Sequence, residues 1–311
     1  MQNKHGSEIK LSIVIPCYER DRYLNQTLLC ALESKSSEVE VIVLDNNSQN
    51  RNIEHIASSF PTVRYIKNSE NLGLFGNWNK AFRVSKGEFV FILGDDDLIE
   101  RDFVSSFLYY LSKYPSIDLY YSNFSFIDSS GNDLGHSTFP CPWGLVTKSE
   151  AIDFSLSKGF GIPTISMVYR KSLFSRSGFD EKNMGSNDWA YLYGDMPWKL
   201  AYGDPNKLVK YRKDGSGASI ISSRICNISQ LSIYYKLSSQ KGPLLDSFFS
   251  SASNSYWRLR INNGLSENKY ILQYLAVKNT SFTYRFCHAT AFCFFVSLFK
   301  NAIKKTISLI K

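Results

Sequence analysis

What this chain of 311 residues lacks narrows its function first. It has no CxxC pair. Its six cysteines, Cys17, Cys30, Cys141, Cys226, Cys287 and Cys293, are scattered, without metal-site spacing or a compact disulfide framework. Reduced thiols in a cytosolic setting are therefore expected. Cys17 has no His beside it in sequence, so it reads as filler rather than a nucleophile. Internal repeats and low-complexity tracts are missing. No apolar run reaches the roughly 18 residues of a membrane helix, and no conventional span is expected. Residues 1–10 are polar and lack an apolar core, so no signal peptide is expected. No GxGxxG follows the first strand-like run and no GxxxxGK[ST] occurs. This disfavours a dinucleotide site and excludes a P-loop.

Enough apolar material is present for a substantial core: 43% of residues, with 15% aromatic. The length suits one large domain or two smaller ones. The formal charge of +8 favours anionic partners such as nucleotide phosphates, nucleic acid or an anionic membrane surface. Nucleic acid has only that charge in its favour, and no nucleic-acid partner is expected.

The first 97 residues alternate in type. Residues 11–16 are an apolar, β-branched run closed by Pro16, and read as a buried strand. Residues 22–34 carry Tyr23, Leu24, Thr27, Leu28, Ala31 and Leu32 at helical spacing. Residues 39–45 form a second strand ending in Asp45, followed by the turn residues Asn46, Asn47 and Ser48. A short helix over 52–60, a strand over 63–66 and an Asn- and Gly-rich loop over 68–76 come next. Trp78, Ala81, Phe82 and Val84 make a helical stripe, with Gly87 suited to its C′ position. A fourth strand over 88–93 runs into Gly94, Asp95, Asp96 and Asp97. Such β-α alternation predicts a parallel sheet with right-handed crossovers. Its carboxyl edge would gather residues 16–20, 45–48, 68–77 and 95–97, where open α/β sheets bind ligands. Three adjacent carboxylates repel one another. A divalent cation among them suits oxygen ligands, while a solvated acidic turn is the plainer alternative. Asp45 offers either a ribose or base contact or a helix N-cap.

Beyond residue 97, helical spacing over 100–114, a strand over 119–127 and a turn over 128–132 are predicted. Residues 134–146 have loop composition. Thr147 to Glu150 have capping-box spacing ahead of a helix, and residues 165–169 and 170–176 read as a strand and a short helix. Asp188 and Asp195 each lie beside an aromatic, near a helical pattern ending about Tyr202. A carboxylate there suits a general base, or simply an N-cap. Residues 209–217 read as a strand entering a basic, Gly-rich loop able to close over a pyrophosphate. Helical segments are predicted over 227–239, 244–262, 267–279 and 283–310. The last is aromatic and basic, as in a helix lying on a membrane surface, with docking on the core or a dimer contact as the alternatives.

These segments resemble the inverting family-2 glycosyltransferases of the GT-A fold over residues 10–220. Residues 12–20 resemble the family's opening strand and Pro-x-Tyr-Asn-Arg segment, with Glu19 in place of Asn. Residues 43–48 resemble its Asp-(Asn/Asp)-x-Ser turn, and residues 71–81 its Asn-x-Gly-x-x-x-Asn-x-x-x-Ala loop. Residues 87–97 resemble its metal-binding Asp-x-Asp strand end, with Gly94 in the first acidic place. Four such motifs in family order are specific together, though each is weak alone. The resemblance implies nucleotide-sugar contacts by Pro16, Tyr18, Glu19, Arg20, Asp45, Asn71, Gly73, Asn77, Lys80, Asp95, Asp96, Arg212 and Lys213. It implies Mn²⁺ or Mg²⁺ on Asp95 and Asp97, with Asp97 the surest ligand. The base would be Asp188 or Asp195; both segments resemble the family's acidic motif, and that of Asp195 lies nearer its Leu-Ala pattern and is favoured. Lys213 stands near where the family often has His.

The expectation is an α/β protein with a GT-A, Rossmann-like, mostly parallel sheet flanked by helices. Residues 1–220 would form the nucleotide-sugar-binding catalytic domain and residues 221–311 a helical C-terminal region. The implied activity is metal-dependent, inverting transfer of a sugar from a nucleotide-diphosphate sugar to a hydroxyl of a glycan acceptor, such as a lipid-linked O-antigen or capsule precursor. The site would be cytoplasmic, with the protein peripheral on the inner-membrane surface. The alternative is a catalytically degenerate protein of the same fold that binds sugar nucleotide or tethers partners at the membrane.

Overall fold

A computed structural model describes residues 8–34, 36–137, 140–158, 161–181 and 187–214. The helical segments expected beyond residue 227, the membrane-facing tail and the Gly-rich loop at 215–217 lie outside the described residues.

Strand β1 (Leu11–Cys17) leads to helix α1 (Leu24–Glu33), β2 (Val39–Asp45), α2 (Asn52–Ser58), β3 (Val63–Lys67), α3 (Gly73–Val84) and β4 (Phe89–Ile92). The parallel β-α alternation expected for this half is present: β1 pairs in parallel with both β2 and β4, and β2 with β3. Because β1 is covered on both faces, it needs apolar residues at successive positions. Leu11, Ile13 and Ile15 pack toward α1, α2 and α4, while Val14 packs toward α3.

The second half contains β5 (Leu98–Ile99), α4 (Phe103–Lys113), β6 (Leu119–Ile127), β7 (Asp133–His136), β8 (Gly144–Thr147), α5 (Lys148–Lys158), β9 (Val168–Arg170), α6 (Asn187–Tyr193) and β10 (Leu200–Arg212). The main strand order is β3-β2-β1-β4-β9-β6-β10-β5, with β7 on β6 and β8 on β10. β3, β2, β1, β4, β6 and β10 run one way, so the central sheet is mostly parallel, with β9 reversed between β4 and β6. Connections from β1 through β3 proceed outward on one side of β1, and β4 then lies on its other side. That reversal opens a crevice at the carboxyl ends of β1 and β4.

Several local expectations are corrected. Helix α3 begins at Gly73, inside the expected loop, because the Asn71 side chain accepts the Gly73 amide at 2.8 Å and Asn46 accepts the Leu72 amide at 2.9 Å. The Asn residues thus start the helix through an Asx turn instead of prolonging the loop. Gly87 is not a left-handed C′ residue: the α3 cap is extended Ser85, and a Cβ on Gly87 would lie 2.6 Å from the Ser12 amide nitrogen. Its role is close passage against β1. Residues 134–146 hold two short strands, and the strand expected over 165–169 is β9, preceded by a 3-10 turn at Thr164–Ser166. The short helix expected over 170–176 is a 3-10 turn at Lys171–Phe174.

The helical pattern expected to run to Tyr202 stops at Tyr193. Pro197 disfavours helical geometry at Met196. Leu200–Gly203 then pair with β8, and Ala201 onward with β6. Pro205 falls where the β6 register breaks, between Asp204 and Lys207, as a residue without an amide hydrogen must. The capping box at Thr147 is formed: the Glu150 carboxylate accepts the Thr147 amide and hydroxyl, each at 2.8 Å.

Candidate active site

The acidic turn leaves β4 beside β1, with the Leu93 amide on the Val14 carbonyl at 2.9 Å. It is tight, with the Asp97 amide 3.2 Å from the Gly94 carbonyl. A Cβ on Gly94 would lie 2.6 Å from Asp97 Oδ2 and 3.1 Å from Asp96 Oδ1, so two carboxylates fold back over this glycine and any side chain there would have to push the Asp97 carboxylate aside. From below, the Thr27 hydroxyl reaches the Asp95 and Asp97 carbonyls at 3.2 and 2.9 Å. From β10, the Arg212 amide donates to Asp97 Oδ1 at 2.9 Å and Arg212 Nε to the Asp96 carbonyl at 2.8 Å. The Arg212 guanidinium also donates to the Asp128 carbonyl and Gln26 Oε1, and lies over the Tyr23 ring.

Arg20, on the loop after β1, ion-pairs with Asp95 and, at 3.1 Å, with Asp96. One guanidinium compensates a cluster of buried carboxylates incompletely. Burial pushes Asp95 up to about 7 despite Arg20, with Asp96 adding to the rise. Burial and then Asp96 push Asp97 up to about 8, against the Arg212 amide. Among the described residues no three His, Cys, Asp or Glu side chains form a ready-made cation cage. The donor set of the turn is nonetheless all oxygen, the chemistry that Mg²⁺ and Mn²⁺ prefer.

Glu19 has φ +58°, a left-handed conformation that Asn adopts more readily than Glu. Its carboxylate accepts the Gln49 and Asn50 amides at 2.8 and 3.2 Å, and its own amide donates to Ser48 Oγ at 3.0 Å. Glu19 therefore clips the β1 loop to the β2 loop. Asp45 is fully buried; it accepts the Ser48 amide at 2.8 Å and the Tyr65 hydroxyl at 2.7 Å, with Lys67 at 3.9 Å. Asn77 is likewise buried: it accepts from Asn68 at 2.9 Å and donates to the Leu44 carbonyl at 3.3 Å. Asn71 and Gly73 lie exposed at the start of α3, where Asn46 Nδ2 donates to Asn71 Oδ1 at 2.8 Å. Tyr18, two residues before Arg20 on the loop after β1, is 47% exposed. Pro16 is half-buried in β1, and Lys80 half-buried on α3.

Asp188 opens α6, and Thr164 Oγ1 donates to its Oδ2 at 2.6 Å. Thr164 precedes β9, whose Val168 pairs with Phe91 near the end of β4, so Asp188 sits toward the same sheet edge as the acidic turn. Burial raises Asp188, while hydrogen bonds from Thr164 and the Trp189 amide lower it. Asp195 follows α6 at its other end, exposed, between carbonyls of Gly194 and Met196 that Lys148 holds at 2.8 and 2.7 Å. It leads toward Leu200, at the amino end of β10, so the expected helix start at Asp195 is replaced by a helix end. Asn187 is buried and accepts the Asp180 amide at 3.1 Å.

The structure thus brings Arg20, Asp95, Asp96, Asp97 and Arg212 together. Asp45, Asn77 and Arg212 spend their polar atoms on neighbouring chain. Lys213 lies with its ammonium 3.4 Å from the Phe126 ring centroid. Sequence reasoning missed Thr27, Gln26, Tyr65 and Thr164 as supports. Thr27 carried a sign, being polar on the buried stripe of α1; the other three are long-range partners without one.

A mostly parallel α/β sheet with its polar loops gathered at a switch point, and an acidic turn between them, defines a GT-A-type protein. The model described as "Glycosyl transferase family 2" matches residues 12–178, more than half of the chain, and the chain belongs to that family. It is 23% identical over 283 residues to glycosyltransferase GlyG of Streptococcus pneumoniae, covering 87% of this chain and 91% of that one. It is 28% identical over 169 residues to an uncharacterized glycosyltransferase of Haemophilus influenzae, covering 52% of this chain and 63% of that one. The chain thus spans just under two thirds of that relative. The crystal structure of Staphylococcus aureus TarS 1-349 in complex with UDP-GlcNAc has TM-score 0.56 at 15% identity, covering 90% of this chain and 79% of that one. Mannosyltransferase PcManGT from Pyrobaculum calidifontis, in complex with GDP-Man and Mn²⁺, has TM-score 0.54 at 16% identity, covering 91% and 86%. At such identity the likeness speaks to the fold.

Proposed function

We propose that this family-2 glycosyltransferase transfers a sugar from a nucleotide-diphosphate sugar to a hydroxyl of a glycan acceptor, with inversion and with a divalent cation. The observation carrying the reading is the pairing of Arg20 with the acidic turn at the switch-point crevice. Arg20 offers a planar fork to a diphosphate. Asp97 and Asp95 would hold Mn²⁺ or Mg²⁺, ions commonly bound by one or two carboxylates together with substrate phosphates. When bound, the cation supplies Lewis-acid and charge-neutralising stabilisation of the leaving diphosphate. Complexes of the neighbouring folds with UDP-GlcNAc, and with GDP-Man and Mn²⁺, support this reading.

Asp188 is the base in this proposal. Its carboxylate is oriented by Thr164 and its basicity is raised by burial, as accepting a hydroxyl proton requires. The acceptor oxygen then forms its bond to the anomeric carbon as the bond to the diphosphate breaks, on opposite faces of the sugar. A lipid-linked O-antigen or capsule precursor is the proposed acceptor, with the protein at the inner face of the cytoplasmic membrane. This part rests on the charge of +8 and the aromatic, basic tail read from sequence. No helix among the described residues is long and apolar enough to cross a membrane.

The test is a panel of UDP, GDP, CDP and dTDP sugars with Mn²⁺. A ligand of the folded state raises the thermal midpoint and so identifies the donor; release of its nucleoside diphosphate then reports turnover. Asp97→Ala retaining wild-type transfer would sink the cation assignment, and binding without any turnover would favour the degenerate alternative.

A further inference from the structure

A groove of about 1000 Å³ lies away from the acidic turn, between the C-terminal half of α3, the start of β4 and the segment after β9. Four cationic side chains line it, Arg83, Arg170, Lys171 and Arg176, against the carboxylates of Glu88 and Glu181. The two carboxylates already have partners: Glu88 is paired with Arg170 and Lys10, and Glu181 accepts Asn79 at 3.0 Å. Lys171 donates to the Ser85 carbonyl at 2.6 Å. Arg83 and Arg176 are exposed and form no ion pair with a described residue. They leave two planar forks, matched to carboxylate or phosphate, above a floor to which Phe82, Phe174 and Phe179 contribute.

Glu88 begins at the amino edge of β4 and Asp95 lies seven residues on, so the groove and the acidic turn are separated by roughly 20 Å of extended chain. The groove's volume matches a small-molecule or oligosaccharide site. Its concavity does not match a flat lipid surface. Its largest rings are packed into the core, with Phe82 and Phe179 buried, so they are not free to stack on bases.

We propose that this groove is a second, anion-selective carbohydrate site that holds an acidic stretch of the acceptor glycan, bearing carboxylates or phosphodiesters, remote from the reacting hydroxyl. The glycan nature of the ligand rests on the sugar-transfer reading; its charge rests on Arg83 and Arg176.

The test measures calorimetric binding of three probes to the full chain at physiological salt: a uronate-containing tetrasaccharide, a glycerol-phosphate tetramer and a neutral tetrasaccharide. One anionic probe should bind at least about tenfold more tightly than the neutral one, and which one identifies the anion. Arg83→Glu with Arg176→Glu should weaken it by at least about tenfold, and Arg83→Gln with Arg176→Gln by less, with the sugar-nucleotide thermal shift unchanged. Equal binding of neutral and anionic probes, undiminished binding by either variant, or no binding of an anionic probe overturns the proposal. So does displacement of the anionic probe by a short RNA or an anionic vesicle at lower concentration. Failure of sugar nucleotides to bind while an anionic probe still binds through Arg83 and Arg176 would instead remove the transferase reading and leave the groove.

Discussion

Asp97 is the residue on which most local features converge. Thr27 holds its carbonyl, the Arg212 amide holds one carboxylate oxygen, and Gly94 leaves room for the other. Gly94→Ala should therefore displace the carboxylate and abolish the Mn²⁺-dependent thermal shift, while the cation-free midpoint moves little. The raised values of Asp95 and Asp97, about 7 and about 8, also fix a sign. Between the ordinary carboxylate range and those values the folded state binds more protons than the unfolded one, so stability falls as pH rises through this window. Cation-free wild type should lose more thermal midpoint between pH 5 and 8 than Asp97→Asn. Added Mn²⁺ should act in the opposite sense, because its ligands must be deprotonated. Asp188→Asn should lower kcat by about 10²- to 10⁴-fold with donor binding intact, the loss typical of a general base. If Asp195→Asn reproduces that loss and Asp188→Asn does not, the assignment of the base is reversed.

At the scale of elements, the meeting of β1 with the chain entering β4 depends on one glycine. The Gly87 amide donates to Ser12 Oγ at 2.9 Å, and Ser12 in turn donates to Glu40 on β2 at 2.6 Å. Gly87→Ala would press a methyl onto the β1 backbone, which cannot rotate away as a flexible side chain can. Overpacking typically costs about 1–3 kcal/mol, and this position should fall at or beyond the upper end, read as a lower urea midpoint at unchanged slope. The elements read correctly from sequence are those with strong periodicity. β4 is a continuous apolar run, and β1 and β2 are nearly so, interrupted by Ser12 and Glu40, because both faces are covered, and α1 shows its stripe. The misread ones are short or depend on distant partners, such as β5 against β10 and β8 against β10.

Across the whole molecule, Arg212 joins the two halves of the sheet. From the end of β10 it reaches the acidic turn, α1 through Gln26 and the turn after β6 through Asp128. Hydrogen bonds to a charged group each contribute about 1.5–3 kcal/mol, so Arg212→Met, which keeps much of the bulk, should cost about 3 kcal/mol or more. Chemical denaturation would measure that loss, and a wild-type midpoint would show that the acidic turn is held without the clamp.

The order of strands and helices through residue 97, the gathering of polar loops at one edge, and the family were all legible in the sequence. Local periodicity and turn chemistry encode each of these within a few neighbouring residues. Three matters were decided only by tertiary structure. One is that Asp45, Asn77 and Arg212 are buried and bonded to their own chain, which depends on partners far away in sequence. A second is the arrangement of Arg20 over Asp95 and Asp96, set by β1 and β4 lying side by side. The third is the opposite placement of Asp188, in the first turn of α6, and Asp195, just past its end. Their sequence contexts look alike, but Thr164 draws the first to the crevice edge, and Pro197 and the pairing of β10 carry the second toward the other end of the sheet.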